Sequence, residues 1–436
     1  MKRIGRSLIG LLGALVTSAI VWDQIESRAL AREIAAIAAR GEPTTAPDPE
    51  SVELTAEQQE AARWYAGAAE RAKQAVSGDG PAFGISRVDI DNPATHADLA
   101  QLEGRFRSDA PALQLLDRAT PLDFKEFGAE APELSSNQGP LYQLAHLNDV
   151  RADLLAARGQ TDAAAKTLVA SVRLLRTMPT NFYRFQATTH MLGSLRILFR
   201  RAPAGEAALA PLQRELMALP DTDVLSREVR VRRGTFIDRL EEPASSPFEA
   251  LAKGITRPWR ARSARQHLKA YEESLALAET PWPARVAASR AFEAKYAALF
   301  ERFGPGRRSS VSWRDWLAPY GPPVVVIPVN ASGLELASRR VAVAAIAIER
   351  YRRAHAEAPP PALDALVPTY LPSVPIDPFS GAALVYRVES GGYSLYSKDI
   401  DGRDDGGALY GRGSRGQPAP RAGQPRDLGI RVDLKH

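Results

Sequence analysis

Apolar residues along this chain recur mainly at three- and four-residue spacing, the period of amphipathic helices. Glycine and proline separate these periodic segments, so the pattern predicts many helices of moderate length. The expected helical ranges are 55–76, 95–107, 111–118, 122–128, 141–158, 163–175, 183–201, 205–218, 223–240, 262–279 and 283–302. Short strands are expected only near the C-terminus. The predicted fold class is therefore mainly α, with a small α+β module at the end.

The N-terminal pattern differs because its apolar residues are not confined to one helix face. Lys2, Arg3 and Arg6 precede an uncharged run from Ser7 to Trp22. As a helix, this run would cover about 24 Å, against the ~30 Å of a hydrocarbon core. Basic flanks stay on the cytoplasmic side of a membrane helix. We therefore expect a single pass through the inner membrane, with the N-terminus inside and the bulk of the chain extracytoplasmic.

A cleaved signal peptide is the alternative to an uncleaved anchor. Thr17, Ser18 and Ala19 form a small-residue cleavage site of the usual kind. The helical pattern continues without a break through residues 24–37, however, and this continuity favours the anchor. Both interpretations export the body of the chain.

Changes in composition predict the domain limits. The expected domains are 1–40 (cytoplasmic tip, anchor and continuing helix), 41–54 (linker), 55–303 (all-α body), 304–333 (connector) and 334–436 (α+β module). The linker and the connector are identified by their proline and glycine. Within the connector, 324–329 is expected to be a short extended segment. Within the module, 406–426 is expected to be a flexible basic loop.

Composition and motif content limit the possible chemistry. The 436 residues include no cysteine, which excludes disulfides, thiolate metal sites and a cysteine nucleophile. The net charge of +5 arises from interleaved acidic and basic residues, with only local basic clusters such as Arg230 to Arg233. A nucleic-acid partner needs a coherent basic face, so none is expected. The sequence contains no nucleophile elbow, zinc-protease motif or phosphate-binding loop, so we do not expect an enzyme.

The clearest helical pattern lies between residues 141 and 176. Two helices flank a turn that begins at Gly159, and Ala152, Ala164 and Ser171 are small residues at the positions where the helices would touch. This αα-hairpin resembles a tetratricopeptide repeat, although a second pair of helices matches the motif poorly. The resemblance implies stacked hairpins, which present grooves for a protein partner.

The C-terminal segments follow each other in an informative order. A helix that is apolar on every side at 341–348 precedes a short helix at 362–367 and a proline-rich bend around Asp377. Residues 384–387 and 393–397 are then expected to pair as antiparallel strands. Over 338–432 this order resembles the globular domain of the major pseudopilin of type II secretion systems.

That resemblance implies an α+β module and an association with a secretion or pilus-like apparatus. The chain also departs from the family. A pseudopilin has its membrane segment at the start of this same helix, whereas here the candidate anchor lies far upstream and lacks the family's processing pattern. Polymerisation as a pilin is therefore not expected.

The resemblance further implies a calcium site, because the family binds calcium in the loop after the second strand. Asp401 and Asp427 match the family's side-chain ligands, and Ser397 is a further candidate. Calcium takes ~6–8 oxygen ligands, which carboxylates and backbone carbonyls can supply. The alternative is an exposed turn that Asp and Gly build without any metal. Both interpretations stay open.

The function we expect is that of a membrane-anchored, extracytoplasmic protein-binding or scaffold protein, whose partner and oligomeric state the sequence does not specify. One alternative is an extracytoplasmic enzyme or ligand-binding protein with its site between the helical body and the C-terminal module. The other is a soluble helical adaptor.

Overall fold

The computed structural model describes residues 2–45, 54–77, 110–122, 138–178, 181–200, 204–219, 224–240, 242–243, 246–303, 326–409 and 427–434. For residues 2–16 and for scattered positions inside other helices, it describes the backbone alone. The protein is mainly helical and has one small β-sheet.

The helices are α1 (Lys2–Ala39), α2 (Ala56–Ser77), α3 (Gln138–Ala157), α4 (Thr161–Arg176), α5 (Asn181–Arg200), α6 (Glu206–Met217), α7 (Val224–Leu240), α8 (Pro247–Ile255), α9 (Arg257–Glu279), α10 (Ala284–Phe303) and α11 (Val326–Ala354). Residues 110–119 are also helical. A 3-10 turn spans Leu363–Leu366. The strands are β1 (Val385–Glu389), β2 (Gly392–Ser397) and β3 (Leu428–Asp433).

Most of the predicted helices are confirmed, with ends that differ by a few residues. The predicted pairing of the first two strands is also confirmed, since Val385 lies opposite Tyr396 in an antiparallel ladder. β3 extends the sheet on the other side of β2. The helices predicted at 95–107 and, beyond its first residue, at 122–128 lie outside the described residues.

Three local predictions around proline are wrong. The segment predicted to be extended at 324–329 is helical from Val326 onward, because Pro328 lies in the first turn of α11, where its missing N–H leaves no bond unmade. The helix α8 is absent from the expected ranges, because proline is expected to separate helices, whereas Pro247 opens this one. α9 likewise begins at Arg257 rather than at 262, with Pro258 in its first turn.

The chain divides into two compact units, each discontinuous in sequence. Unit 1 comprises Met1–Pro47, Ser226–Pro281 and Ala287–Val326, and unit 2 comprises Asp48–Leu225, Trp282–Val286 and Ile327–His436. These units rest on spatial contacts, whereas the predicted domain limits rest on composition and stay a prediction.

In unit 1, α1 packs along α9 and runs in the same direction. The contacts, in order along both helices, are Trp22 with Trp259, Glu26 with Arg265, and Arg40 with Glu272. α1 is continuous through the predicted anchor, as the helical pattern led us to expect. Most of the predicted anchor lies within residues 2–16, whose side chains are not among those that the structure describes. Within the described set, no helix is long and apolar enough to cross a membrane.

Unit 2 contains the predicted αα-hairpin. α3 and α4 pack against each other around Gly159, whose φ of +75° is the left-handed conformation that glycine adopts without strain. The small residues Ala152, Ala164 and Ser171 are all buried. α2 and α5 pack on α3, and α6 packs on α4, so the hairpins stack into a layer of helices.

The predicted all-round burial of α11 is confirmed, since every residue from 341 to 348 is buried. One hydrophobic cluster includes side chains of the hairpins, of α11 and of the sheet, among them Leu168, Leu212, Ile346 and Leu395. α11 and the sheet therefore share their core with the hairpins of unit 2.

Candidate functional site

The candidate site is the acidic loop that connects β2 with β3. After β2 ends at Ser397, the chain turns through Asp399, which has a φ of +57°, and through three glycines with positive φ. The loop returns at Asp427, which directly precedes β3. The described part of this loop is 398–409, and the predicted flexible basic loop lies mostly outside the described residues.

Ser397 is a buried residue whose hydroxyl is already used within the protein. It donates a hydrogen bond to Asp377 Oδ1 at 2.7 Å and accepts one from the Asp399 N–H at 3.3 Å. Asp377 also accepts hydrogen bonds from the backbone N–H groups of Phe379 and Lys398. Asp377 thus fastens the proline-rich bend to the end of β2, which gives this aspartate a structural role that sequence order alone did not reveal.

Asp427 is fully buried and organises the far side of the loop. Its two oxygens accept hydrogen bonds from the N–H groups of Gly407 at 2.8 Å and Asp405 at 3.4 Å. Burial raises the pKa of the Asp427 carboxyl; these two N–H groups oppose the rise, and the negative charges of Asp404 and Asp405 add to it. The charges of Asp404 and Asp405 therefore disfavour the ionisation of Asp427.

The remaining acidic residues lie nearer the surface. Asp401 Oδ1 accepts a hydrogen bond from the Arg403 N–H at 2.9 Å. Asp404 accepts hydrogen bonds from the Gly406 N–H and the Tyr396 hydroxyl and pairs with Arg387 at 3.0 Å. Burial would raise the pKa of Asp404, but these hydrogen bonds and the charge of Arg387 together lower it.

Each of the three predicted calcium ligands already has a hydrogen-bond partner within the protein. Ser397 and Asp427 are held by separate sets of protein hydrogen bonds, and Asp401 caps its own turn. Among the described residues, no group of three or more histidine, cysteine, aspartate or glutamate side chains is placed to hold a metal ion. Calcium binding by Asp401, Asp427 and Ser397 therefore stays a prediction. A cation bound near Asp427 would offset the negative charges of Asp404 and Asp405 that raise the pKa of Asp427.

A second polar cluster joins helices α3 and α5 and was missed by the sequence analysis. The imidazoles of His146 and His190 lie 4.4 Å apart between ring centroids. The Tyr142 hydroxyl lies 3.0 Å from His190 Nε2. No two histidines of the chain share the spacing of metal ligands on one helix, so sequence spacing does not bring this pair together. No local signal could have found this pair, since it forms across two helices that are distant in sequence.

Comparison with known proteins found no family model, no curated protein and no solved structure that matches this chain. The pseudopilin-like and tetratricopeptide-like resemblances therefore rest only on the residues given above.

Proposed function

We propose that this chain is a membrane-anchored, extracytoplasmic protein that binds a protein partner or holds an assembly together. The main support is α1, a single uninterrupted helix of 38 residues. At 1.5 Å per residue it is about 57 Å long, enough to cross a ~30 Å hydrocarbon core and continue into a folded unit.

The second half of α1 is an integral part of unit 1. Arg265 of α9 donates hydrogen bonds to Glu26 at 2.8 Å and to Glu33 at 2.7 Å. The hydrogen bonds that Arg265 donates to Glu33 and Glu26 raise the pKa of its guanidinium, although burial opposes the rise. A chain fastened in this way would hold its globular part at a defined distance from the bilayer, which suits a scaffold better than a flexible tether does.

The shared core of unit 2 argues against the alternative of an enzyme whose site lies between the hairpins and the C-terminal module. A catalytic cleft between the hairpins and the C-terminal module would need an open seam. Instead, Gln213 of α6 donates hydrogen bonds to the carbonyls of Val343 and Tyr370. Arg339 of α11 donates to the carbonyl of Leu219 at 2.8 Å. These hydrogen bonds bridge the seam, which favours a scaffold over a catalyst at this place.

Two finer proposals rest on the resemblance of residues 338–432 alone. One is an association with a secretion or pilus-like apparatus. The other is a calcium ion bound in the acidic loop through Asp401 and Asp427, with Ser397 as a further ligand.

Topology can be tested with one cysteine, because the natural chain has none. Val388 is 51% exposed, so a Val388→Cys variant should react with a membrane-impermeant maleimide in intact spheroplasts. The protein should also resist carbonate extraction and keep residues 1–19 in its intact mass. Labelling only after lysis, or release by carbonate, would support the soluble adaptor. Loss of the N-terminal segment would support the signal peptide.

Partner binding can be tested with a photo-crosslinking residue on the exposed surface of the hairpins, at Lys166 and Arg214. Discrete adducts are expected from these positions in cells. The exposed Asp364, in the 3-10 turn, is the matched control. Adducts from the control alone, or from no position, would contradict a protein-binding role of the hairpins.

A further inference from the structure

We infer that α8 and the first turn of α9 rest on the membrane surface and bind the headgroup region of anionic lipids. This inference depends on the proposed membrane anchor and adds to it a second, peripheral contact with the same bilayer.

The position of this surface follows from the packing of α1 on α9. Trp22 is the last residue of the apolar run, and its ring lies 4.7 Å from that of Trp259. The next residue, Asp23, lies 3.7 Å from Arg257, the first residue of α9. Because α1 and α9 run in the same direction, an anchor that crosses the bilayer through Ser7 to Trp22 brings the start of α9 to the level where α1 leaves it. α8 ends only one residue before α9 begins.

The side chains at this level suit a bilayer interface. Trp259 is 39% exposed although it is one of the largest apolar side chains, and tryptophan is enriched where hydrocarbon meets headgroups. Leu251 of α8 is 64% exposed. On α1, beside the point of exit, three further apolar side chains are more than half exposed: Ile20, Val21 and Ile25.

The sequence of α8 has the pattern of an interfacial helix. Its larger apolar residues, Phe248, Leu251 and Ile255, recur at three- and four-residue spacing. Its two charged residues, Glu249 and Lys253, form an ion pair of 2.9 Å with each other. A short helix with one apolar and one charged side can lie in the plane of the interface.

Charge indicates the kind of lipid. The first two turns of α9 contain Arg257, Arg260 and Arg262, and the side chain of Arg257 is 64% exposed. The neighbouring Asp23 offsets part of this charge. Each basic residue near an anionic surface contributes ~1 kcal/mol, which is about a fivefold gain in partitioning. The alternative is that a protein, rather than lipid, covers α8 and the first turn of α9.

The test uses the full chain in vesicles of phosphatidylcholine with phosphatidylglycerol, and three single-cysteine variants that each hold an environment-sensitive fluorophore. Leu251→Cys reports the proposed contact, and Ile20→Cys reports the anchor. Ala276→Cys is the matched control, because it is an exposed residue of α9. It lies about 26 Å beyond Trp259 along the helix. Lipids brominated near the headgroup should quench Leu251→Cys and Ile20→Cys but not Ala276→Cys.

The outcomes separate this inference from the anchor on which it rests. Quenching at Ile20 without quenching at Leu251 would overturn the inference and leave the anchor in place. No quenching at Ile20 would contradict the anchor itself. A blue shift of the Leu251 probe without lipid quenching would indicate a protein contact and would also overturn the inference. In anionic vesicles, an Arg257→Gln substitution should lower the ratio of membrane-bound to free α8 about fivefold, as read from the quenching of Leu251→Cys. Equal quenching with and without phosphatidylglycerol would contradict the preference for anionic lipid.

Discussion

The guanidinium of Arg233 is fully buried in unit 1, although the sequence places it at the end of a basic cluster. It pairs with Glu42 and, at 2.7 Å, with Glu272. Arg40 joins the same two carboxylates from the solvent side. Hydrogen bonding from Arg40, followed by that from Arg233 and by the charges of both, lowers the pKa of Glu42 to about 2, although burial opposes the shift. This network ties the end of α1 to α7 and α9.

Glu42→Gln should destabilise the protein by about 3 kcal/mol at neutral pH, because a buried guanidinium then loses a charged partner. The pKa of Glu42 in the folded state lies below its ordinary 4.5. The contribution of Glu42 to the free energy of unfolding is therefore complete above about pH 4.5 and is lost as the pH falls towards 2. Urea unfolding at several pH values should show the difference between the two proteins shrinking in acid.

Glu279→Gln is the matched control for this experiment. Its partner is Arg230 at 3.0 Å, and both side chains are well exposed, so the expected loss is under ~1 kcal/mol. Equal effects of the two substitutions would show that burial does not strengthen the Glu42 pair.

Calcium binding can be decided by thermal melts of the full chain with calcium and with chelator. At a concentration about a hundredfold above its Kd, a ligand stabilises by ~2.7 kcal/mol. We expect Tm to rise with calcium and the rise to disappear in Asp401→Asn. Asp364→Asn, an exposed aspartate outside the loop, should keep it. If the unmutated chain has the same Tm with calcium and with chelator, the acidic loop is a surface turn that does not bind calcium.

At the scale of secondary-structure elements, the close approach of chain segments limits which residues a helix can contain. Gly234 lies inside α7, where a Cβ atom would come within 2.4 Å of the Thr45 carbonyl oxygen. The segment after α1 therefore crosses α7 at a point where no side chain fits. Gly254 of α8 has no neighbour within 4 Å of the corresponding position.

Two glycine-to-alanine substitutions should consequently have opposite effects. Gly234→Ala should destabilise by on the order of 1–3 kcal/mol, because the backbone of the crossing segment must move. Gly254→Ala should be neutral or stabilising by up to ~1 kcal/mol, since alanine is the better helix former. Urea midpoints from far-UV circular dichroism would test both, and a neutral Gly234→Ala would contradict the close crossing.

At the scale of the whole molecule, unit 2 combines elements from distant parts of the chain around one core. Ile346 of α11 is completely buried in the cluster that also includes hairpin and sheet residues. The hairpins and the α+β module should therefore unfold together, although the sequence suggests two separate domains.

This can be tested with a fluorophore on the hairpins at Met217→Cys and, in a second variant, on the sheet at Val388→Cys. Both positions are exposed, at 44% and 51%. Their urea transitions should coincide and should shift together when Ile346→Ala removes about 2–5 kcal/mol. An independent transition of the sheet probe would show that the module folds alone.

The sequence predicted the helices well because each depends on a local period. It predicted the first two strands and the all-round burial of α11 for the same reason. It failed where a proline opens a helix, at Pro247 and Pro328, since an isolated proline has the same appearance at a break and at a first turn. The candidate ligands were found by their order along the chain. The hydrogen bonds that Ser397 and Asp427 make within the protein could not be predicted from that order.

By itself, then, the sequence determined the helical class, the hairpin turn at Gly159, the apolar N-terminal run and the absence of cysteine chemistry. Only the tertiary structure decided that Arg233 is buried, that His146 meets His190, and that the C-terminal module shares its core with the hairpins. The physical reason is that spacing along one helix determines which residues share a face. Packing among segments that lie far apart in the sequence selects the partner of that face.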